Sequence, residues 1–223
     1  MYVNDILVQL QRSKLGCQIN SMPFNSLLYA DDILLLTISV CDMQKMIDLC
    51  KTELDWLDMR INSKKSSCIR IGKKYKSIVK HIVVDQDSIS WSNEIRYLGV
   101  YIVAGKAFRC NVQYCKVKYF RNFNSILGKI GCKSSEHIIT SLVSSFSLPA
   151  LFFGTETVFL IKHQQENLAN AYNSIFMKIY GTFNKPIITL CQYYSGYLPF
   201  KYLLDAINTR PQNKTTIHKG LCN

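Results

Sequence analysis

The sequence is short of charge, of histidine and of residues that interrupt regular structure. Of 223 residues 19% are charged, four are His, ten are Gly and five are Pro. So little charge beside 48% hydrophobic residues excludes an intrinsically disordered chain, and so few Gly and Pro exclude a collagenous or linker-rich one. No internal repeat or low-complexity tract is present, which removes solenoids and repeat arrays. The nine cysteines are odd in number, contain no Cys-x-x-Cys pair, and have no histidine at finger-like spacing from Cys110, Cys115 or Cys132. A disulfide framework and a zinc ribbon are therefore both excluded, leaving reduced, mostly buried thiols in an intracellular protein, nuclear or cytoplasmic. Met1-Tyr2-Val3-Asn4-Asp5 lacks a basic segment followed by an apolar one, so no secretory signal is expected.

Long apolar runs are also scarce. The stretch from Leu142 to Ile161 has the length of a membrane span, but Ser144, Ser145, Ser147, Pro149, Gly154 and Glu156 dilute it. A glutamate there would cost several kcal/mol in lipid. The better reading is a buried helix followed by a turn at Leu148-Pro149, with no membrane partner; a membrane-associated protein is the distant alternative.

Acidic residues are the scarcer charge, 15 against 27 Lys and Arg, and the excess is unevenly placed. Residues 1–60 carry five basic and eight acidic side chains, 61–135 carry fifteen and three, and 136–223 carry seven and four. The middle third alone equals the whole net charge of +12. A concentrated basic block is the footprint of a face that holds a polyanion; an ordinary solvated basic surface is the alternative.

Ser26 to Thr37 contains two short apolar runs flanking Asp31-Asp32. Runs of this length predict strands buried on both faces, joined by a tight turn that exposes the aspartates. From Asp42 to Arg60 the period changes, and Met43, Met46, Ile47, Cys50, Leu54 and Leu57 mark an amphipathic helix with Asp42 as its N-cap. A polar turn at Asn62-Ser63-Lys64-Lys65-Ser66 follows, then strands near Cys68–Ile71, Ile82–Val84 and Ile95–Ile102. This order predicts an α+β fold, a helix on a mainly antiparallel sheet, over 1–104. Helical periodicity at Val112–Ile130, Ser135–Phe146 and Gln164–Tyr180 predicts an all-α subdomain over 105–210, and 211–223 reads as a polar tail. Adjacent carboxylates in a hairpin turn can approach one metal site, and hard-oxygen donors suit Mg²⁺.

Leu28-Tyr29-Ala30-Asp31-Asp32-Ile33 resembles the signature hairpin of reverse transcriptases. Ile61-Asn62-Ser63-Lys64-Lys65-Ser66 is similar to the L-N-x-x-K-T/S element of non-LTR retrotransposon reverse transcriptases, and Tyr97-Leu98-Gly99-Val100 to their Y-L-G element at the primer grip. Leu148 to Thr157 resembles their LPxLLYGxExW stretch, with Phe153 for the tyrosine and Val158 for the tryptophan. The four elements stand in the family's order.

The resemblance implies a right-hand RNA-directed DNA polymerase: the C-terminal part of a palm, then a helical thumb, acting with Mg²⁺ or Mn²⁺ on an RNA template and a DNA primer. It makes Asp31 and Asp32 catalytic metal ligands and puts Tyr29 beside the nascent strand. Lys65 becomes the lysine approaching the incoming nucleotide, with Lys64 its rival and a plain solvated turn the alternative. Tyr97, Leu98 and Gly99 would contact primer. In the basic block from Lys64 to Lys133, Lys116, Lys118 and Arg121 are the candidate duplex contacts, among Tyr75, Trp91, Tyr101, Tyr114 and other aromatics. The family places another metal-binding aspartate and a fingers region upstream, yet 28 residues precede Tyr29, and Asp5 sits in a stretch resembling an intervening helix. The expectation is a fragment without polymerase activity by itself, from a truncated copy or incomplete gene model. The alternative is a non-catalytic remnant that grips an RNA–DNA duplex.

Overall fold

A computed structural model describes residues 4–20, 22–131 and 134–209. Tyr2, Val3, Cys132, Lys133 and the tail from Pro211 lie outside the described residues. The chain forms two compact units. The first runs to residue 95 and adds 102–108; the second comprises 96–101 and the described residues from 109.

In the first unit, α1 (Asn4–Arg12) turns Ile6 and Leu10 onto the stripe of α2 (Val40–Trp56) that carries Met46, Cys50 and Leu54. Ser39, in extended conformation, is the N-cap of α2. Asp42, expected there, falls inside the first turn, where its carboxylate still complements the helix dipole. The other flank of α2 buries Ile47 against Cys68, Ile82, Val84 and Ile89. These last four come from β5 (Ser67–Cys68), β6 (Ile82–Val84) and β7 (Asp87–Trp91), a sheet of order β5-β7-β6 with a parallel β5-β7 pair and an antiparallel β6-β7 pair. Two antiparallel hairpins precede α2: β1 (Gln18–Ile19) with β2 (Met22–Pro23), and β3 (Ser26–Tyr29) with β4 (Asp32–Leu35). The fold is α+β, but its strands form several small sheets, where the sequence suggested one. The expected strand over Ile95–Ile102 is a hairpin, β8 (Glu94–Tyr97) and β9 (Val100–Val103), because Leu98-Gly99 turns the chain back. Its turn over 96–101, and β10 (Arg109–Cys110) that pairs with β9, belong to the second unit.

The second unit is helical: α3 (Gln113–Ile130), α4 (Glu136–Leu142), a π-helical turn (Val143–Ser147), α5 (Leu148–Leu151), α6 (Lys162–Tyr180), α7 (Lys185–Tyr194) and α8 (Phe200–Thr209). Its core is one cluster that includes Tyr119, Phe123, Leu151, Leu168, Tyr172, Phe176 and Phe200. The turn expected at Leu148-Pro149 is absent and the chain stays helical there. Pro149, which has no N–H to give, follows directly on the π-helical turn that widens the helix over Val143–Ser147. No helix among the described residues is long and apolar enough to cross a membrane. Of the described cysteines, Cys50, Cys68 and Cys110 are buried, Cys41 is exposed and Cys17, Cys115 and Cys191 are intermediate, all free. The thiols are thus less uniformly buried than the sequence suggested.

Candidate catalytic hairpin and nucleic-acid interface

In the acidic hairpin Tyr29 pairs with Asp32, so Ala30 and Asp31 form a two-residue loop. Ala30 takes φ 53°, the left-handed first position that two-residue hairpins require, at a cost of about 1 kcal/mol for a residue other than Gly. Tyr29, Asp31 and Asp32 are all exposed. The flanking strands are not buried on both faces as expected: β3 alternates half-buried and exposed, with Leu27 on the open side. A two-stranded ribbon has one covered face, and here Ile33 and Leu35 of β4 pack on the α1–α2 cluster.

Asn25 locks the base of this ribbon. Its buried Nδ2 donates to the carbonyls of Leu10 at 2.8 Å and Leu15 at 2.9 Å, tying β3 to the end of α1. Its own carbonyl accepts from the Leu36 amide at 2.7 Å. Gly16 makes this closeness possible, since a Cβ there would stand 2.6 Å from both Asn25 Cβ and Leu36 O. Hydrophobic periodicity carries no trace of this clamp, because the burial of Asn25 comes from segments ten and fifteen residues away.

As ligands, Asp31 and Asp32 suit a hard divalent cation. They are adjacent, solvent-facing carboxylates, and neither is engaged in an ion pair among the described residues. No group of three or more His, Cys, Asp or Glu side chains with metal-binding arrangement occurs among the described residues, and two carboxylates are fewer ligands than a divalent cation takes.

The lysine turn is held by Asn62, whose Oδ1 accepts from the Lys65 amide at 3.1 Å and whose carbonyl accepts from the Ser66 amide at 2.9 Å. Ser63 Oγ donates to Asp87 Oδ2 at 2.7 Å, fastening the turn to β7. Lys64 and Lys65 are both exposed. Lys64 lines an open polar hollow of about 270 Å³ with Ser63, Asp87, Ser88 and Ser90. No bond or ion pair joins either lysine side chain to the acidic hairpin among the described residues.

In the second unit two of the sequence elements meet. Leu98 (φ 47°) and Gly99 (φ 82°) both take left-handed backbone, the pattern of a type I′ turn. The Phe153 ring lies against Gly99 so closely that a Cβ would be 2.8 Å from it. Lys118 Nζ lies 5.8 Å from the centroid of the same ring, and Cys115 Sγ donates to the Phe153 carbonyl at 3.6 Å. Leu98 is exposed on this turn. Next to it Tyr101 and Tyr114 stack at 3.5 Å between centroids, with the Arg96 guanidinium 5.8 Å from the Tyr101 ring. Cations set on aromatic faces form a surface suited to phosphate and base together. At 3.6 residues per turn Arg121 stands about 60° round α3 from Lys118 and is likewise exposed, whereas Lys116 stands about 160° away and is half-buried. Arg96 and Phe153 were not singled out from the sequence as contacts; their role emerges only from the rings they meet.

Residues 1–102 match the family model described as reverse transcriptase (RNA-dependent DNA polymerase). The matched segment contains α1, the acidic hairpin, α2, the lysine turn and the Tyr97-Leu98-Gly99 turn, and ends within β9. Nothing among the curated proteins or the solved structures matches the chain.

Proposed function

We propose that this chain is palm and thumb from a non-LTR retrotransposon reverse transcriptase, contributing an acidic hairpin to RNA-directed DNA synthesis and holding the RNA template–DNA primer duplex, in the nucleus or cytoplasm. The observation that carries the reading is the two-residue loop that exposes Asp31 beside Asp32 inside the segment matching the reverse transcriptase family. Asp31 and Asp32 would hold Mg²⁺ or Mn²⁺. Bound there, the ions would activate the attacking primer hydroxyl and stabilise the leaving oxygen. Tyr29, exposed beside the hairpin loop, would flank the nascent strand. Lys65 offers its amine to a developing phosphate charge. Tyr97, Leu98 and Gly99 contact primer from a rigid turn, and Lys118 and Arg121, with Lys116 less accessible, take the duplex phosphates.

Two carboxylates do not complete a two-ion site, so we read the chain as a fragment that binds duplex without polymerising by itself. The Lys118–Phe153 and Arg96–Tyr101 contacts favour this binding reading, since they need no metal. Primer extension on an RNA template with Mg²⁺ is expected to give no more product than an Asp31→Ala control, while an RNA–DNA hybrid is retained in a filter assay at low salt. Asp31-dependent synthesis would overturn the fragment reading, and absence of hybrid binding would overturn the rest.

A further inference from the structure

We propose that the loop over residues 70–80 is a preformed phosphate-binding loop for nucleic acid, with Trp91 as its positioning residue; the proposal rests on the duplex-binding reading above. Arg70, Lys73, Lys74, Lys76 and Lys80 put five cations between Ile69 and His81, with no acidic residue among them. The four lysines are exposed and Arg70 is half-buried. No carboxylate among the described residues forms an ion pair with any of the five.

A lysine-rich loop that served only solubility would need no fixed shape, and this one is fixed at both ends and inside. Its two ends converge on Trp91, the last residue of β7. The Arg70 guanidinium lies 5.4 Å from the Trp91 ring centroid, and Trp91 Nε1 donates to the Lys80 carbonyl at 3.1 Å. Arg70 Nη1 also donates to the Lys74 carbonyl at 3.4 Å. Within the loop the Tyr75 amide donates to Gly72 O at 3.1 Å and the Ser77 amide to Lys74 O at 3.0 Å, while the Gly72 amide donates to Gly105 O at 2.8 Å. Holding like charges together opposes folding, and a polyanion relieves that repulsion while releasing its own counterions. A pinned loop also spares the ordering cost that a flexible lysine segment incurs on binding. An anionic membrane would satisfy the charges too. The loop's exposed apolar side chains are Ile71 and Ile78, however, and together they bury far less apolar surface than the lipid chain that stable membrane attachment needs beside a basic patch.

The test is an anisotropy titration of a labelled RNA–DNA hybrid with the full chain across a salt series. Replacing Lys73, Lys74, Lys76 and Lys80 by Gln is expected to weaken binding at least about tenfold near 0.1 M salt and to flatten the log–log salt slope by about 2 to 3. Trp91→Phe keeps the charge and the ring but removes the bond to Lys80, and an about threefold weakening is expected from the lost pin. Far-UV circular dichroism confirms that both variants are folded. If the four-lysine variant binds like the parent while Lys118→Gln with Arg121→Gln weakens binding, the loop is not a contact and the duplex-binding reading stands. If neither weakens binding, both fail. Loss of binding to phosphatidylserine vesicles with unchanged hybrid affinity would assign the loop to membranes and overturn the proposal.

Discussion

Among the described residues of the second unit fifteen buried ones form one cluster, with rings in contact such as Tyr172 and Phe176 at 4.9 Å, and half-buried Phe152 stacks on its Phe200 at 5.5 Å. The first unit divides its buried residues into two clusters of five on either side of α2. It closes the remaining gaps with polar clamps between distant segments: Asn25 onto Leu10 and Leu15, Gln44 onto Val83, Ser63 onto Asp87, Trp91 onto Lys80. The second unit has such ties too, Gln164 onto Cys110 and Tyr172 onto Leu198 among them, but sets them around one large core. The difference teaches where each unit keeps its rigidity. Apolar packing is roughly proportional to area and tolerant of exchange, whereas a clamp positions one loop and fails as a whole when its partner is lost. The acidic hairpin, the lysine turn and the basic loop all hang on clamps.

Truncation in the large core should have the largest effect. Phe176→Ala is expected to cost about 3–5 kcal/mol, measured by urea unfolding followed in the far ultraviolet. A loss smaller than that of Leu10→Ala in the first unit would break the contrast between the cores.

Alkaline pH separates the units by a second route. Burial pushes the Cys50 and Cys68 thiols up from 9.0 to about 11. Their stabilisation is whole below pH 9, where both states keep the proton, and is lost as pH rises to about 11, because the unfolded thiols ionise first. The loss is at most about 2 kcal/mol for Cys50 and less for the more solvated Cys68. In the second unit burial raises Cys110 and Cys115, and also raises Tyr119 and Tyr172 from 10.0. Its destabilisation therefore continues through the tyrosine range, where the first unit loses only the contact of the Lys51 amine, held up by Asp85 at the surface. Trp56 and Trp91 both lie in the first unit, so tryptophan emission reports that unit while helical ellipticity weights the second. Parallel pH profiles from the two probes would refute the assignment.

Gly99→Ala tests the meeting of the Tyr97-Leu98-Gly99 turn with Phe153. The added Cβ meets the ring at 2.8 Å from a backbone at φ 82°, and an about 1–3 kcal/mol loss in thermal stability is expected. Weaker hybrid binding should accompany it. An unchanged melting temperature would mean that Phe153 is free to move aside.

What was legible in the sequence follows the same division. The stripe Met46, Ile47, Cys50 and Leu54 was readable because helix burial repeats every three to four residues, and so was α3. The hairpin's acidic tip was readable because turn chemistry is local, although its strands proved half-exposed: a run of leucines does not reveal how many neighbours it will have. Helices α7 and α8 were not anticipated: both are amphipathic, but at ten residues each they offer a window too short for the three-to-four repeat to stand out. Asn25, Gln44 and Phe153 were invisible because each acts on a segment distant in sequence, and composition does not encode such a partner.

The smallest expected change tests the clamps themselves. Gln44 on α2 donates from Nε2 to the Val83 carbonyl at 2.8 Å and accepts the Val83 amide on Oε1 at 2.9 Å. It thus imitates a neighbouring strand along β6, an edge strand of its sheet. Gln44→Ala frees both main-chain groups at an exposed site, so water recovers most of the loss and about 0.5–1.5 kcal/mol is expected. The sharper readout is hydrogen exchange at the Val83 amide, which should speed up, together with concentration-dependent self-association through the uncovered edge. Gln44→Glu with Asp48→Asn, which removes the carboxylate that Gln44 Nε2 contacts at 2.8 Å, keeps the acceptor and loses the donor, so the Val83 amide should stay protected while its carbonyl is released. Equal exchange in the parent and both variants would show that β6 is guarded by packing alone, and the contrast between a clamped unit and a packed one would lose its clearest case.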